Sequence, residues 1–170
     1  MEAELSAVTP FPSGVDELVA VLRDKAEIER LVRVYADVCD EGYNPDKLVE
    51  LFTEDAVWSA SSESGTSDFG VHEGRAAIHE FFGGVSSDIV HAHHIVMSPE
   101  IDVVEPGQSA TGRWNTMVWM RLREDPLGLP GEAKLIASVY QHEYLHTDAG
   151  WRIARLHVHT RFDLRARLVG

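Results

Sequence analysis

The sequence of 170 residues has the length of a single domain, and its 44% content of hydrophobic residues suits a globular protein with a substantial core. Its formal net charge of −13 argues against binding to nucleic-acid phosphates or to anionic membrane surfaces. No apolar run has the length of a membrane span, and the single cysteine, Cys39, excludes an intrachain disulfide framework and a cysteine-based zinc site. We therefore expect a cytoplasmic protein with no nucleic-acid or membrane partner.

The N-terminal half has the periodicity of helices. Residues 1–14 contain two prolines and no secretory signal pattern, which predicts a flexible arm before a single domain over residues 15–170. A long amphipathic helix is expected to begin with Ser13 or Asp16 as its cap and to end at Gly42, in one piece or in two that meet near Asp24. A short helix capped by Asn44, a short strand AVWSA, a polar loop SSESGTSDFG and a third helix closed by Gly83 and Gly84 follow.

The C-terminal half has the composition of β-strands. Four segments rich in β-branched and aromatic residues are separated by turn formers: DIVHAHHIVMSPEIDVVE, QSATGRWNTMVWMRLRE, EAKLIASVYQHEYLHT and GWRIARLHVHTRF. Helices followed by such a meander predict an α+β fold, with the N-terminal helices packed on one face of a curved, mainly antiparallel sheet.

One carboxylate is out of place in the first predicted helix. The apolar stripe of this helix comprises Ile28, Leu31, Val32, Tyr35 and Cys39. Asp40 lies at the edge of the stripe, near the helix end, where the helix dipole is already negative and disfavours an acid. Asp40 is therefore a candidate functional group, with a solvated acid in a helix cap as the alternative.

Histidines and mixed strand faces provide further candidates. In HAHHIVM, strand alternation separates His94 from His91 and His93, but periodicity does not say which face is buried. A neutral imidazole oriented by a carboxylate can act as a general base, whereas an exposed strand histidine is the alternative for each. The later segments have faces that mix aromatic and polar groups, which suits either a pocket for a hydrophobic ligand or an oligomer contact.

Two HxH pairs raise the possibility of a metal site. HxH occurs as His91/His93 and as His157/His159, and such a pair with a carboxylate could bind zinc or iron. The motif is short and no cysteine assists it, so we predict neither a metal nor a cofactor. The sequence also lacks a GxSxG elbow, a phosphate-binding glycine loop and a dinucleotide fingerprint.

Three strings resemble the SnoaL-like branch of the NTF2-like superfamily: LFTEDAVW, GVHEGRAAIHEFF and YQHEYLHTDAGWRIARLHV. The resemblance extends over roughly residues 24 to 162, and each string is moderately specific. It implies a cone-shaped barrel of α+β class with a deep apolar pocket between sheet and helices. By analogy it also implies a homodimer or a homotrimer.

Within that superfamily the chain is similar to scytalone dehydratase and to the bile-acid dehydratases. The similarity to the latter rests on Tyr35 and Asp40 five residues apart, on His94 before the string Pro99–Ile101, and on ATGRW at Ala110–Trp114. It implies that Asp40 and His94 form the Asp–His pair of such enzymes, which a hexachlorocyclohexane dehydrochlorinase shares, with Tyr35 as the pocket tyrosine.

The chain also departs from these enzymes. Val118 stands where the bile-acid enzymes carry a catalytic Asp, and Met120 or Trp119 stands where scytalone dehydratase carries a second His. The resemblance therefore implies the base of an elimination site and leaves assistance to a leaving group open. Arg161 corresponds, with a slip of one residue, to an arginine near the C-terminus of the bile-acid enzymes.

These features lead to the hypothesis of a cofactor-free lyase or isomerase acting on a hydrophobic, ring-bearing substrate such as a polyketide or a steroid. His94 would abstract a proton next to a carbonyl, and Asp40 would hold the imidazole. The substrate contacts expected besides Tyr35 are Trp58, Phe82, Trp114, Val118, Met120, Ser138, Tyr140 and Arg161. A polyketide cyclase with the same pocket is the alternative enzyme, and a non-catalytic ligand-binding or assembly module is the alternative outside catalysis.

Overall fold

The computed structural model describes residues 12–63, 69–123 and 132–167. Its helices are α1 (Val15–Asp40), α2 (Pro45–Val49) and α3 (Gly74–Asp88). Its strands are β1 (Phe52–Ser62), β2 (Gly70–Glu73), β3 (Ile89–Glu105), β4 (Ser109–Leu122), β5 (Glu132–Thr147) and β6 (Gly150–Arg167). Most of the predicted N-terminal arm, the centre of the polar loop and the turn between β4 and β5 lie outside the described residues.

Helix α1 is a single continuous helix of 26 residues. Gly14 is its N-cap and offers no side-chain bond, so the predicted caps at Ser13 and Asp16 are wrong. The helix does not divide at Asp24, whose buried carboxylate accepts the backbone N–H of Gly107 at 2.8 Å and the indole N–H of Trp151 at 3.4 Å. These bonds tie the first half of α1 to the β3–β4 turn and to β6, and the helix then runs on to reach β3.

The segment after α1 departs from the predicted pattern in two places. Asn44 caps α2 as predicted, by accepting the backbone N–H of Lys47 at 3.2 Å. Strand β2, however, was not predicted: it forms between the polar loop and the third helix, because it pairs antiparallel with β1. Helix α3 continues through Gly83 and Gly84 to Asp88, since burial of its apolar side chains outweighs a glycine penalty of about 1 kcal/mol each.

The six strands form one mixed sheet in the order β2-β1-β6-β5-β4-β3. Strand β1 pairs parallel with β6, and every other pairing is antiparallel. The predicted α+β class, with N-terminal helices packed on a sheet, is confirmed. The sheet is not closed over the described residues, because β2 and β3 are its edges. None of the helices that the described residues form has the length and apolarity needed to span a membrane.

Strand β6 contains a bulge that matters for the site. Ser138 of β5 pairs with Thr160, but the neighbouring Ala137 pairs with Phe162, so Arg161 is an extra residue in β6. An inserted residue exchanges the two faces of a strand beyond it. Asp163 and Arg165 consequently lie on the same face as Thr160, the face that meets the helices.

Candidate active site

An apolar cavity of about 630 Å³ lies between the helices and the inner face of the sheet. Helices, strands and the segments between them contribute aromatic walls, namely Tyr35, Tyr43, Trp58, Phe69, Phe81, Phe82 and Tyr140. Buried tyrosines close the inner end of the cavity. Exposed side chains, including Phe69, Arg123 and Arg165, mark its open end.

The end of α1 positions two residues of the candidate site, Asp40 and Tyr43. Asp40 is the last residue of the helix. Gly42 and Tyr43 then adopt left-handed backbone conformations, with φ of 103° and 56°, and the N–H of Tyr43 donates to the carbonyl of Val38 at 3.1 Å. These bonds terminate the helix and reverse the chain directly after Asp40, which brings the ring of Tyr43 back to the same cavity.

Asp40 and His94 are in direct contact. Nδ1 of His94 lies 2.6 Å from Oδ1 of Asp40, and the backbone N–H of His94 approaches both carboxylate oxygens, at 2.9 and 3.0 Å. The side chain of His94 is 3% exposed, whereas that of Asp40 is 23% exposed. An ionised carboxylate only accepts hydrogen bonds, so we assign the proton to Nδ1, which leaves Nε2 as the basic nitrogen.

The environment keeps Asp40 ionised. Its partial burial acts to raise its pKa, but the hydrogen bonds from the ring and the backbone N–H of His94 outweigh that effect, so the pKa lies below its ordinary value. A second imidazole contributes from outside, because Nδ1 of the largely exposed His93 lies 3.3 Å from Oδ2 of Asp40. A carboxylate at the negative end of a helix is thus compensated by donors from β3.

Tyr43 is a site residue that sequence reasoning missed. Its hydroxyl lies 3.3 Å from Nε2 of His94, and its ring stacks on Phe82 with centroids 6.1 Å apart. Burial, followed by the nearby Cys39, raises the pKa of Tyr43 well above its ordinary value, so the phenol is neutral and donates to Nε2. The only signal in the sequence was an aromatic residue directly after the glycine that ends the helix.

Two further tyrosines are positioned to donate into the cavity. The hydroxyl of Tyr35 accepts the indole N–H of Trp58 at 3.3 Å, which leaves its own O–H available as a donor. The rings of Tyr35 and Tyr140 meet edge to face at 6.4 Å. Burial raises the pKa of both phenols, so both keep their protons at neutral pH.

The structure brings most of the predicted site residues together. Those that line the cavity are Tyr35, Trp58, Phe82, His94, Val118, Met120, Ser138 and Tyr140. Asp40 lies behind His94 and reaches the cavity through it. Strand alternation in β4 and β5 explains this grouping, because Val118 pairs with Ile136 and Met120 with Lys134 on the inner face.

Trp114 is not a cavity wall, and its predicted role is corrected. It faces the same side of β4 as Val118 but lies four residues away, about 13 Å along the strand. There its buried indole N–H donates to the hydroxyl of Tyr144 at 3.1 Å. Trp114 is therefore a core residue beyond the closed end of the cavity.

Arg161 does not reach the cavity either. It is the extra residue of the β6 bulge, and its half-exposed side chain pairs with Glu63 at 2.9 Å. Arg165 lines the cavity instead, since the bulge turns the end of β6 by one residue.

Neither HxH pair lines the cavity. His157 and His159 are on the outer face of the sheet, where two serine hydroxyls of β1 contact their ring nitrogens at 2.8 to 3.4 Å. In the other pair, His93 contacts Asp40 from its exposed side. Within residues 12–63, 69–123 and 132–167, no three His, Cys, Asp or Glu side chains are grouped so that they could hold a metal ion.

Sequence comparison now identifies the family. Residues 20–157 match the model of the SnoaL-like domain. The chain belongs to the SnoaL-like family. The match includes most of α1, strands β1 to β5 and the first part of β6, so this SnoaL-like domain contains both Asp40 and His94. No curated protein matches the sequence.

Solved structures share the architecture of this SnoaL-like protein. A protein proposed to be a scytalone dehydratase, from Novosphingobium aromaticivorans, is 22% identical with a TM-score of 0.73, over 89% of this chain and 93% of that chain. A hexachlorocyclohexane dehydrochlorinase from Novosphingobium barchaimii is 18% identical with a TM-score of 0.71, over 89% and 98%. An NTF2-like superfamily protein from Salmonella enterica is 16% identical with a TM-score of 0.69, over 84% and 94%. At these identities the similarity establishes the NTF2-like fold.

Proposed function

We propose that this SnoaL-like protein is a cofactor-free lyase or isomerase that removes a proton next to a carbonyl of a hydrophobic, ring-bearing substrate such as a polyketide or a steroid. The observation that carries the proposal is the 2.6 Å contact between Nδ1 of His94 and Asp40, with Nε2 turned toward an apolar cavity. The dehydratase and dehydrochlorinase among the structural neighbours support chemistry of this class.

His94 is the proposed base. Once the hydroxyl of Tyr43 turns its hydrogen bond away from Nε2, this nitrogen accepts the substrate proton. The ionised Asp40 stabilises the imidazolium that forms and holds the ring in one tautomer. Positioned proton transfer of this kind contributes about 10²–10⁴-fold to the rate. The buried ring of His94 and the aromatic walls keep water from the reacting carbon, which strengthens each electrostatic contact.

Tyr35 and Tyr140 are the proposed donors to the developing enolate oxygen. Both phenols are buried and neutral, so they can donate a hydrogen bond to negative charge at the moment it forms. Loss of one such donor lowers the rate by about 10²–10³-fold in comparable oxyanion sites. Ser138, on the same strand as Tyr140, adds a polar contact in the cavity wall.

The destination of the proton decides between isomerisation and elimination. In isomerisation, the proton on Nε2 of His94 returns to another carbon of the enolate. In elimination of a hydroxyl, Tyr43 gives its proton to the departing oxygen, water leaves, and Tyr43 is reprotonated from Nε2, which lies 3.3 Å away. Val118 and Met120 offer the departing group no acid, which favours reactions without a leaving group, and among these ring closure by a polyketide cyclase is the second candidate.

The test uses ring ketones of steroid and polyketide type in D₂O. NMR follows deuterium entering next to the carbonyl, and mass spectrometry distinguishes loss of water from a product of unchanged mass. We expect exchange with the wild type and none above background with His94→Gln. His79→Gln is the matched control, because His79 also pairs with an aspartate, at 2.8 Å, but on the protein surface. Equal exchange by the wild type and His94→Gln would rule out His94 as the base.

A further inference from the structure

The turn between α1 and α2 places Tyr43 in an unfavourable backbone conformation. Gly42 and Tyr43 have φ of 103° and 56°. Glycine adopts such left-handed values freely, whereas a residue with a β-carbon does so at a steric cost. A strained conformation of this kind persists only where surrounding contacts hold the backbone. The hydroxyl of Tyr43 reaches Nε2 of His94, so the contacts that hold this turn also decide the geometry at the proposed base.

The peptide bond between Gly42 and Tyr43 is held at both of its polar groups. Its N–H, which belongs to Tyr43, approaches the carbonyls of Val38 and Cys39 at 3.1 and 3.2 Å. Its carbonyl, which belongs to Gly42, accepts the hydroxyl of Ser86 at 2.7 Å. Because a peptide unit is planar, bonds on its two opposite sides fix the plane itself. The α-carbon of Tyr43 lies in that plane, so the position of that carbon is fixed with it.

Helix α3 contacts this turn through two residues that are one helical turn apart. Phe82 and Ser86 are four positions apart in the helix and therefore lie on the same face. The buried ring of Phe82 stacks on that of Tyr43, and the hydroxyl of Ser86 holds the carbonyl of Gly42. One side chain of α3 thus holds the ring of Tyr43, and the other holds the backbone in front of it.

Ser86 reaches the turn because α3 does not stop at its glycines. Gly83 and Gly84 predict the end of the helix, yet α3 continues beyond them. That continuation brings Ser86 opposite the carbonyl of Gly42. The next residue, Ser87, has a different role, since its hydroxyl bonds within α3 to the carbonyl of Gly84 at 2.7 Å. Two adjacent serines therefore differ in whether they bond across to the turn.

We propose that Ser86 is a positioning residue of the candidate active site: through the carbonyl of Gly42, it holds the hydroxyl of Tyr43 against Nε2 of His94. The effect of this placement on turnover rests on the proposed function, in which Tyr43 gives its proton to a departing oxygen. The placement itself rests on the contacts of the turn. Without the hydroxyl of Ser86, the peptide bond keeps its N–H partners but can tilt, and Tyr43 spends less time bonded to Nε2.

The first measurement is the nitrogen NMR signal of Nε2 of His94, in protein with isotope-labelled histidine. The shift of an unprotonated imidazole nitrogen changes when it accepts a hydrogen bond, so Tyr43→Phe gives the position of the unbonded nitrogen. The signal that is missing from His94→Gln identifies the resonance. One neutral hydrogen bond changes an equilibrium by about fivefold. We therefore expect Ser86→Ala to lower the ratio of bonded to unbonded Tyr43 by about that factor, which moves the signal toward its position in Tyr43→Phe.

The adjacent serine provides the matched control. Ser87→Ala makes the same change one residue further along α3 and removes a bond within the helix, so the His94 signal should stay at its wild-type position. Ser86→Thr keeps a hydroxyl and should also give the wild-type position. A Ser86→Ala signal that coincides with that of the wild type, or an equal displacement in Ser87→Ala, would overturn the positioning role.

The second measurement is the rate, in a double-mutant cycle. Ser86→Ala should lower the rate of elimination by about fivefold, with smaller effects on proton exchange and on KM, and should have no further effect in a Tyr43→Phe background. Equal losses in both backgrounds would show that Ser86 does not act through Tyr43. For a substrate without a leaving group, the NMR signal alone decides.

The two measurements also separate this proposal from the proposed function. If the His94 signal moves as expected but the wild type exchanges no protons, the proposed function fails and the positioning of Tyr43 stands. If the wild type exchanges protons and the signal in Ser86→Ala does not move, the proposed base stands and the role of Ser86 is refuted.

Discussion

Asp40→Asn is the sharpest test of the proposed chemistry, because it changes one charge and almost no volume. Asparagine can still accept the backbone N–H of His94, which lies 2.9 Å from Oδ1 in the wild type, but it offers no negative charge to an imidazolium. A hydrogen bond to a charged group contributes about 1.5–3 kcal/mol and a neutral one about 0.5–1.5, so the stability loss should be about 1 kcal/mol. For a domain of this size that lowers the thermal midpoint by about 2–4 °C.

The expected loss of activity is much larger than the loss of stability. Without the carboxylate, His94 loses both its fixed tautomer and the stabilisation of its charged form, so proton exchange should fall by about 10²–10⁴-fold, or about 3–5 kcal/mol in the barrier. NMR of deuterium uptake by a ring ketone measures the rate, and calorimetry measures the midpoint. Asp37→Asn, an exposed site on the same helix, is the matched control and should change neither quantity.

The Asp40 variant also has a predicted pH signature. The folded protein lowers the pKa of Asp40, so this carboxylate stabilises the fold at pH values above about 4, the ordinary range of an unfolded aspartate. That contribution is lost as the pH falls through the pKa of folded Asp40. The stability difference between wild type and Asp40→Asn should therefore disappear on acidification.

An Asp40→Asn enzyme that exchanges protons as fast as the wild type would refute the base assignment and favour a ligand-binding module.

Three further predictions concern residues around and behind the cavity. Tyr43→Phe should remove the donor at Nε2 of His94 and lower the rate of elimination more than that of simple proton exchange, which product mass and deuterium uptake measure separately. His142 is buried against Tyr144, neither of its ring nitrogens has a hydrogen-bond partner in the described part of the chain, and burial lowers its pKa to about 3. An unfolded histidine protonates near pH 6.5, so the wild type should lose up to about 1.4 kcal/mol of stability per pH unit between pH 6.5 and pH 3. In calorimetry at a series of pH values, His142→Phe should show a smaller dependence of stability on pH over this range. The homo-oligomer expected from the family stays a prediction. Candidate contacts on the outer face of the sheet are Trp119, which is 51% exposed, and Leu164, which is 60% exposed. If these residues form the interface, light scattering should report a smaller particle for Trp119→Glu than for the wild type.

The sequence predicted those features that depend on side-chain periodicity. The apolar stripe of α1, the inner faces of β4 and β5, and the cap at Asn44 all follow from local spacing, and each is present in the structure. Alternation alone did not distinguish His94 from the other histidines, since both faces of β3 carry imidazoles. The family resemblance singled out His94, and the structure places it against Asp40.

The features that escaped prediction depend on backbone geometry. The left-handed conformation that returns Tyr43 to the cavity follows the helix end and leaves no mark in hydrophobic spacing. The persistence of α3 through Gly83 and Gly84 depends on packing against the core, which outweighs local propensity. Strand β2 exists because β1 offers it an edge, and a pairing between distant segments cannot be read from either segment alone.

The bulge at Arg161 has a consequence for how such a pocket can diverge. If the bulge were straightened so that Arg161 paired with Ala137, the end of β6 would shift by one residue, Asp163 and Arg165 would turn toward solvent, and Phe162 and Leu164 would turn inward. The open end of the cavity would change from charged to apolar, although no residue of β6 would have been substituted. Substitutions that favour or disfavour the bulge, far from Asp40 and His94, could therefore change which compounds enter the cavity without altering the residues of the proposed base.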